Sequence, residues 1–200
     1  MVLILALPPA ALSGQQAQST SSPSSRYQAP VISDTGDLKG PRQPIFFRHD
    51  VHAGEDQIPC MYCHYSAAVS SEPGIPSLQT CIGCHQVVGG GSRRGLKGDT
   101  TAARAERAQV QLLRNAWRER QPPEWIRVHA LPGFVRFPHM RHIKGLSTRQ
   151  GVEANATCAT CHGDVKHMTQ VEQVSTLRMG WCVHCHMQNT VTRDCSVCHY

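Results

Sequence analysis

The sequence predicts a fold of short α-helices and irregular chain wrapped around bound groups, with almost no β-sheet. Three observations indicate this. Of the 200 residues, 40% are hydrophobic and 6% aromatic, so the chain cannot build a large apolar core from its own side chains. Ten cysteines and 12 histidines accompany that small core, more than ordinary packing requires. Alternating apolar and polar runs, which would indicate strands, are nearly absent.

The composition also excludes two broad classes of protein. With 17% charged and 40% hydrophobic residues, the chain lacks the highly charged, apolar-poor composition of a disordered protein. No segment approaches the ~20 consecutive apolar residues that a membrane-spanning helix needs. A membrane-embedded body is therefore excluded.

All ten cysteines occur in five C-x-x-C pairs, and a histidine follows every pair. C-x-x-C-H is the attachment motif of c-type haem, in which the thiols bond the porphyrin and the histidine ligates iron on the proximal side. Zinc sites, redox dithiols and disulfides also use paired cysteines, but none of them requires that histidine. The sequence therefore predicts a multihaem cytochrome c with five covalent haems c. The attachment residues are Cys60, Cys63, Cys81, Cys84, Cys158, Cys161, Cys182, Cys185, Cys195 and Cys198, and the proximal ligands are His64, His85, His162, His186 and His199.

Haem binding changes the meaning of the net charge. The formal charge is +6 at pH 7, which alone could suggest nucleic-acid binding. The haem propionates would offset much of it, and we expect arginines and lysines to pair with them. No nucleic-acid-binding motif is present in the sequence.

A repeated F-x-H-x-x-H element at 47–52 and 137–142 supplies candidate distal ligands. Histidines three residues apart share one face of a helix, so they can ligate two different irons. The predicted distal ligands are His49, His52, His139 and His142, with His129 as the fifth candidate and His167 and His184 as alternatives. Met179 and Met168 are the thioether candidates, and such a ligand would raise the potential of its haem.

The chain divides into four predicted segments. Residues 1–43 form a hydrophobic end and an extended arm expected to dock on a partner, and 44–90 form a first module with two haems. Residues 91–123 form a Gly-rich turn and a helical insert with an Arg-rich, solvated face. Residues 124–200 form a second module with three haems.

Haem attachment also predicts the compartment. Cytochrome c maturation takes place on the outer face of the energy-conserving membrane, so we expect a periplasmic location. The apolar stretch at 1–7 is stopped by Pro8 and Pro9, and no basic residue precedes it. We expect this stretch to be the outer end of an export signal or an anchor helix.

The flanks of the haem motifs resemble a known family. Over about residues 44–200 the chain resembles the pentahaem cytochrome c subunit of bacterial alternative complex III, a quinol-oxidising membrane complex. The resemblance rests on 47–54 (FRHDVHAG), 58–64 (IPCMYCH), 128–135 (VHALPGFV), 179–186 (MGWCVHCH) and 194–200 (DCSVCHY).

This resemblance implies a set of partners. In that family the subunit neighbours an iron–sulfur subunit related to molybdopterin oxidoreductases, an integral membrane quinol-binding subunit and a monohaem cytochrome c. It implies that electrons from quinol pass through the haems to a soluble cytochrome c or copper protein, or to an oxidase. The chain itself would then be an electron carrier without a catalytic residue.

Other functions remain open on the sequence alone. The same carrier could serve another quinone reductase that has a multihaem subunit. A multihaem nitrite-type reductase needs an iron with an open position, whereas all five motifs end in histidine and candidate distal ligands exceed the haems. A haem redox sensor needs a regulatory domain, and none is visible in the sequence.

Overall fold

The computed structural model describes residues 39–92, 96 and 98–200. Within these ranges the chain forms eight α-helices, a π-helical turn at Asp50–Glu55 and two 3₁₀ turns at Ala154–Thr157 and Val165–His167. Their one β-contact is the antiparallel bridge between Val135 and His199. The predicted fold class is thus confirmed. The helices are α1 (Cys60–Cys63), α2 (Ser66–Val69), α3 (Leu78–His85), α4 (Thr101–Arg118), α5 (His139–Gln150), α6 (Ala159–His162), α7 (Met179–Gln188) and α8 (Cys195–Cys198).

Every cysteine motif lies on a helical turn. Helices α1, α6 and α8 are single turns that consist of little more than the motif, whereas in α3 and α7 three helical residues precede the first cysteine. Residues three apart are neighbours on a helix surface, so the two thiols of each C-x-x-C pair point to the same side. The local helix therefore prepares each pair to bond one flat group.

The apolar core of the described residues is small. It consists of Ile45, Ile82 and Leu113, with Leu78, Cys81 and Trp125 packed against it. Several large apolar side chains stay exposed in the protein alone, including Tyr62, Val69 and Val87. This agrees with the expectation that the chain's own side chains do not fill its interior.

A buried polar network joins the two predicted modules, residues 44–90 and 124–200. Arg48 Nε donates to Asp50 Oδ1 at 3.0 Å, and both side chains are almost fully buried. Thr169 Oγ1 donates to Asp50 Oδ2 at 3.2 Å, and the Asp50 amide donates to the carbonyl of Met168 at 3.2 Å. A buried carboxylate is tolerated only when it is paired in this way. The network fixes the π-helical turn against the segment that follows α6.

Helix α4 lies within the predicted insert and packs against α3. Its N-cap is Thr100, whose Oγ1 accepts from the Ala103 amide at 3.1 Å. Arg104 and Arg107 pair with Asp99 at the exposed end of the helix, as expected for a solvated Arg-rich face. Arg114 is different, because its side chain turns toward α3.

Part of the predicted N-terminal segment lies outside the described residues. Of the docking arm and hydrophobic end at 1–43, residues 1–38 are not described. In the part that is described, no helix combines the length and apolar character needed to cross a membrane.

We predict that Asp50→Asn destabilises the protein by about 3 kcal/mol, because it leaves the buried Arg48 guanidinium with the more distant Glu106, 3.6 Å away, in place of its close counter-charge. The measurement is the urea unfolding midpoint of the full chain with its covalent groups attached. Asp99→Asn is the matched control, since Asp99 is exposed and its pairs with Arg104 and Arg107 are screened by water. Equal midpoints for the two variants would contradict a structural role for the buried pair.

Candidate functional site

The five cysteine pairs do not form disulfides or a zinc cluster. No two of the ten cysteines are joined as a disulfide. Among the described residues, no group of three or more His, Cys, Asp or Glu side chains converges as a metal cluster would require. A structural zinc site needs four converging ligands. The geometry therefore disfavours both alternative uses of the C-x-x-C pairs.

Four of the five predicted proximal histidines face a second imidazole. A metal held between two imidazole nitrogens, about 2 Å from each, separates the ring centroids by about 6 Å. The four observed separations fit that requirement, and each pair joins a predicted proximal ligand with a predicted distal one. The pairs are His49–His64 at 6.4 Å, His52–His85 at 6.0 Å, His139–His162 at 6.4 Å and His142–His186 at 6.1 Å.

Each F-x-H-x-x-H element serves two attachment motifs. Its first histidine faces a proximal ring that is nearly parallel, at 11° for His49–His64 and 17° for His139–His162. Its second histidine faces a more inclined ring in another motif. The two copies of the element therefore have the same arrangement in space as well as the same sequence pattern.

The phenylalanine of each element holds both of its histidines. Phe47 lies edge-on to His49 at 4.8 Å and stacks on His52 at 4.4 Å. Phe137 makes the same two contacts in the second copy, at 4.8 Å and 4.1 Å. The sequence shows the repeated Phe two residues before the first histidine of each element, but the sequence analysis did not predict that it packs against both histidines.

Hydrogen bonds select which ring nitrogen is available in two of the pairs. In each of these four rings Nδ1 lies within hydrogen-bond distance of a backbone carbonyl, which assigns the proton to Nδ1 and leaves Nε2 for a metal. The acceptors for His52, His85, His142 and His186 are the carbonyls of Arg48, Val88, Pro138 and Thr192, at 2.8, 2.9, 3.0 and 2.7 Å. By contrast, Nδ1 of His49 and of His139 is buried with no hydrogen-bond partner among the described residues.

Burial favours the neutral form of six of the paired imidazoles. The pKa of His49 is lowered to about 4, mainly by burial and then by the neighbouring His64. The pKa of His162 is also lowered to about 4, mainly by burial and then by His129 and His139. Burial is the largest cause of a lowered pKa in four further rings, those of His52, His64, His139 and His142. A neutral imidazole is the form that binds a metal.

The fifth motif has a different environment. The ring beside His199 is that of Phe134, at 5.8 Å and 30°. Backbone contacts place it there, because Val135 bridges to His199 and the Arg136 amide donates to the Cys198 carbonyl at 2.7 Å. The structure thus does not set a predicted distal histidine opposite this proximal ligand.

The remaining predicted ligands have other surroundings, and their roles stay predictions. His129 lies edge-on to His162 at 4.4 Å and 79°, and its buried Nε2 has no partner among the described residues. Met168 lies near Gly163, directly after the third motif. Met179 is the first residue of α7 and is 64% exposed. His167 contacts Asp164 at 2.5 Å, and His184 is exposed on α7.

The attachment motifs form a row. The Cys60 thiol lies beside the Cys158 thiol, which is the largest cause of the lowered pKa of Cys60, so the first and third motifs are adjacent. The Met61 amide supports this contact by donating to Asn155 Oδ1 at 2.9 Å. Other thiols of neighbouring motifs lie within electrostatic reach, namely Cys63 with Cys81 and Cys84, Cys161 with Cys182 and Cys185, and Cys182 with Cys198. The order along the row is therefore second, first, third, fourth and fifth motif.

The comparisons with known proteins agree with the fold class. No protein-family model matches this chain. The chain is 28% identical over 174 residues to a protein of Nitratidesulfovibrio vulgaris named "Menaquinone reductase, multiheme cytochrome c subunit", and the match covers 78% of this chain and 76% of that protein. This similarity supports a multihaem cytochrome c, but it does not single out alternative complex III. We conclude that the chain is similar to the multihaem cytochrome c subunit of a quinone reductase.

Proposed function

We propose that this chain is an electron-transfer subunit of a quinone oxidoreductase complex and carries five covalently bound haems c. The observation that carries the proposal is the set of four imidazole pairs, each 6.0 to 6.4 Å apart and each built on the histidine of a C-x-x-C-H motif. The relative that is named as a subunit of menaquinone reductase supports it.

The residues fit the proposed group in number and kind. Five pairs of thiols would form the thioether bonds, and the five following histidines would be proximal ligands. At the four paired sites His49, His52, His139 and His142 would be the distal ligands. When bound, the haem iron supplies reversible one-electron chemistry. At these four sites an imidazole on each side leaves no open position for a substrate, as suits an electron carrier.

The fifth site carries proposals of its own. His199 would be the proximal ligand, and His129, Met179 and Met168 remain the candidates for distal ligands. A thioether ligand stabilises ferrous iron relative to an imidazole, so a methionine at this site would give it the higher potential.

The row of motifs suits a relay between two partners. The second motif, on α3, lies at one end, and the fifth motif, on α8, lies at the other. We propose that the chain exchanges electrons with different partner proteins at these two ends. The contact between Cys60 and Cys158 supports continuity across the middle of the row.

The proposed setting is the outer, periplasmic face of the cytoplasmic membrane. By resemblance to alternative complex III, the partners would be an iron–sulfur subunit like molybdopterin oxidoreductases, a quinol-binding membrane subunit and a monohaem cytochrome c. The acceptor would be a soluble cytochrome c, a copper protein or an oxidase. The similarity to a menaquinone reductase subunit supports a second host, another quinone reductase, with the same role for this chain.

We predict that the exported, mature chain carries five haem adducts in its intact mass. The double variant Cys182→Ala, Cys185→Ala removes both thiols of the fourth motif, so its mass should fall by one haem and no more. A mass without porphyrin, or with bound zinc in its place, would refute the proposed function.

We predict that His142→Ala converts one of the five haems from low spin to high spin, because His142 faces His186 at 6.1 Å and would hold the sixth position of that iron. The electronic absorption and electron paramagnetic resonance spectra of the purified haem-loaded chain provide the measurement. Lys144→Ala is the matched control, since Lys144 lies exposed on the same helix as His142. An unchanged low-spin spectrum for His142→Ala would exclude His142 as a ligand.

A further inference from the structure

Arg114 on α4 reaches the end of α3, where the second attachment motif lies. Its Nε donates to the carbonyl of His85 at 2.7 Å, and its Nη2 donates to the carbonyl of Gln86 at 3.2 Å. The same Nη2 lies 3.5 Å from the carbonyl of Val88. One guanidinium thus spans the residues that directly follow Cys84.

These carbonyls are the free acceptors of a helix C-terminus. The last turn of a helix leaves its carbonyl groups without partners inside the helix, and an arginine there satisfies them and complements the helix dipole. The Gln86 and Val88 amides already turn back to Ile82 and Cys84, so the segment after α3 is tightly folded. Arg114 is the side chain that clamps this segment from outside.

The clamped segment is also the one that holds the His85 ring. Nδ1 of His85 lies 2.9 Å from the Val88 carbonyl, and this bond points the other ring nitrogen toward His52. The fourth motif has a comparable bond from His186 to the Thr192 carbonyl, but there the turn is held by Asn189 of the same segment. The clamp on the second motif comes instead from the helical insert.

We propose that Arg114 is a positioning residue for the haem of the second motif. It holds segment 85–88 so that the Val88 carbonyl accepts from His85 Nδ1, which sets the plane and the basicity of this proximal ligand. This inference rests on the proposed function. Second-shell hydrogen bonds of this kind fix the orientation of a metal-bound imidazole and raise its basicity.

Two simpler roles for Arg114 give different outcomes. A mere positive charge would act equally well as lysine, whereas the planar fork that reaches several carbonyls is specific to arginine. A partner for a haem propionate would act through Nη1, which contacts none of these carbonyls, and a lysine would keep that ion pair, so the haem signals would not shift.

The test compares Arg114→Lys with Arg118→Lys in the full haem-loaded chain. Arg118 lies one turn further along α4, and together with Arg114, Ile82 and Gln86 it lines a cavity between α3 and α4. Its side chain, however, donates to Asn115 within its own helix. Both variants keep the charge. For Arg114→Lys we expect one low-spin electron paramagnetic resonance signal to shift and the midpoint potential of one haem to rise, because a less basic ligand stabilises ferric iron less. Arg118→Lys should match the wild type in both measurements.

The outcomes separate this inference from the proposed function. The positioning role would be overturned if Arg114→Lys has the same spectrum and redox titration as the wild type. Five haem adducts in the intact mass would in that case leave the carrier function intact. Loss of all adducts in the wild type would instead overturn the carrier function. If Arg114→Lys does not accumulate, Arg114→Gln replaces it, and an unshifted resonance signal in that variant also overturns the proposal.

Discussion

The arrangement of this chain depends on pairs of imidazole rings that face each other with their centroids about 6 Å apart. Each F-x-H-x-x-H element directs two histidines to two different helices, so one short segment fixes the distance between them. In the first copy His49 faces α1 and His52 faces α3, while Phe47 packs against both rings. The second copy repeats this with α6 and α7. The elements therefore define where four of the five cysteine motifs lie.

Direct protein packing contributes much less to this arrangement. The apolar core of the described residues is three buried side chains at the junction of α3 and α4. The buried pair of Arg48 and Asp50 is joined to Thr169 from far along the chain, but a buried ion pair specifies an arrangement more than it stabilises one. The proposed haems would supply the missing apolar interior, since burial of apolar surface is the dominant favourable term in folding.

Helix α4 gives the second motif, at one end of the row of motifs, an arginine-rich helix as its neighbour, whereas the fifth motif at the other end has different surroundings. Its exposed arginines pair with Asp99 or with neighbours on the same helix, so they add charge without contacting a motif. Arg114 alone among these turns to α3 and joins the insert to the second motif. The fifth motif, at the opposite end, is held by the bridge to Val135 and has Phe134 beside its histidine. Two ends with such different surroundings suit two different partners.

The sequence by itself determined the features that depend on short-range spacing. C-x-x-C-H and F-x-H-x-x-H are local patterns, so the predicted attachment residues, the four histidines that face a motif histidine and the short-helix fold class followed from residue type and distance along the chain. Tertiary structure alone decided which histidine faces which, because His142 and His186 come from separate helices. The acceptors for Nδ1 lie only three to six residues away in the chain, so local turns set them, although the sequence does not mark them because every backbone carbonyl has the same chemistry. The solvated face expected for α4 was wrong at Arg114, because helical periodicity gives the face of a residue but not the element packed against it.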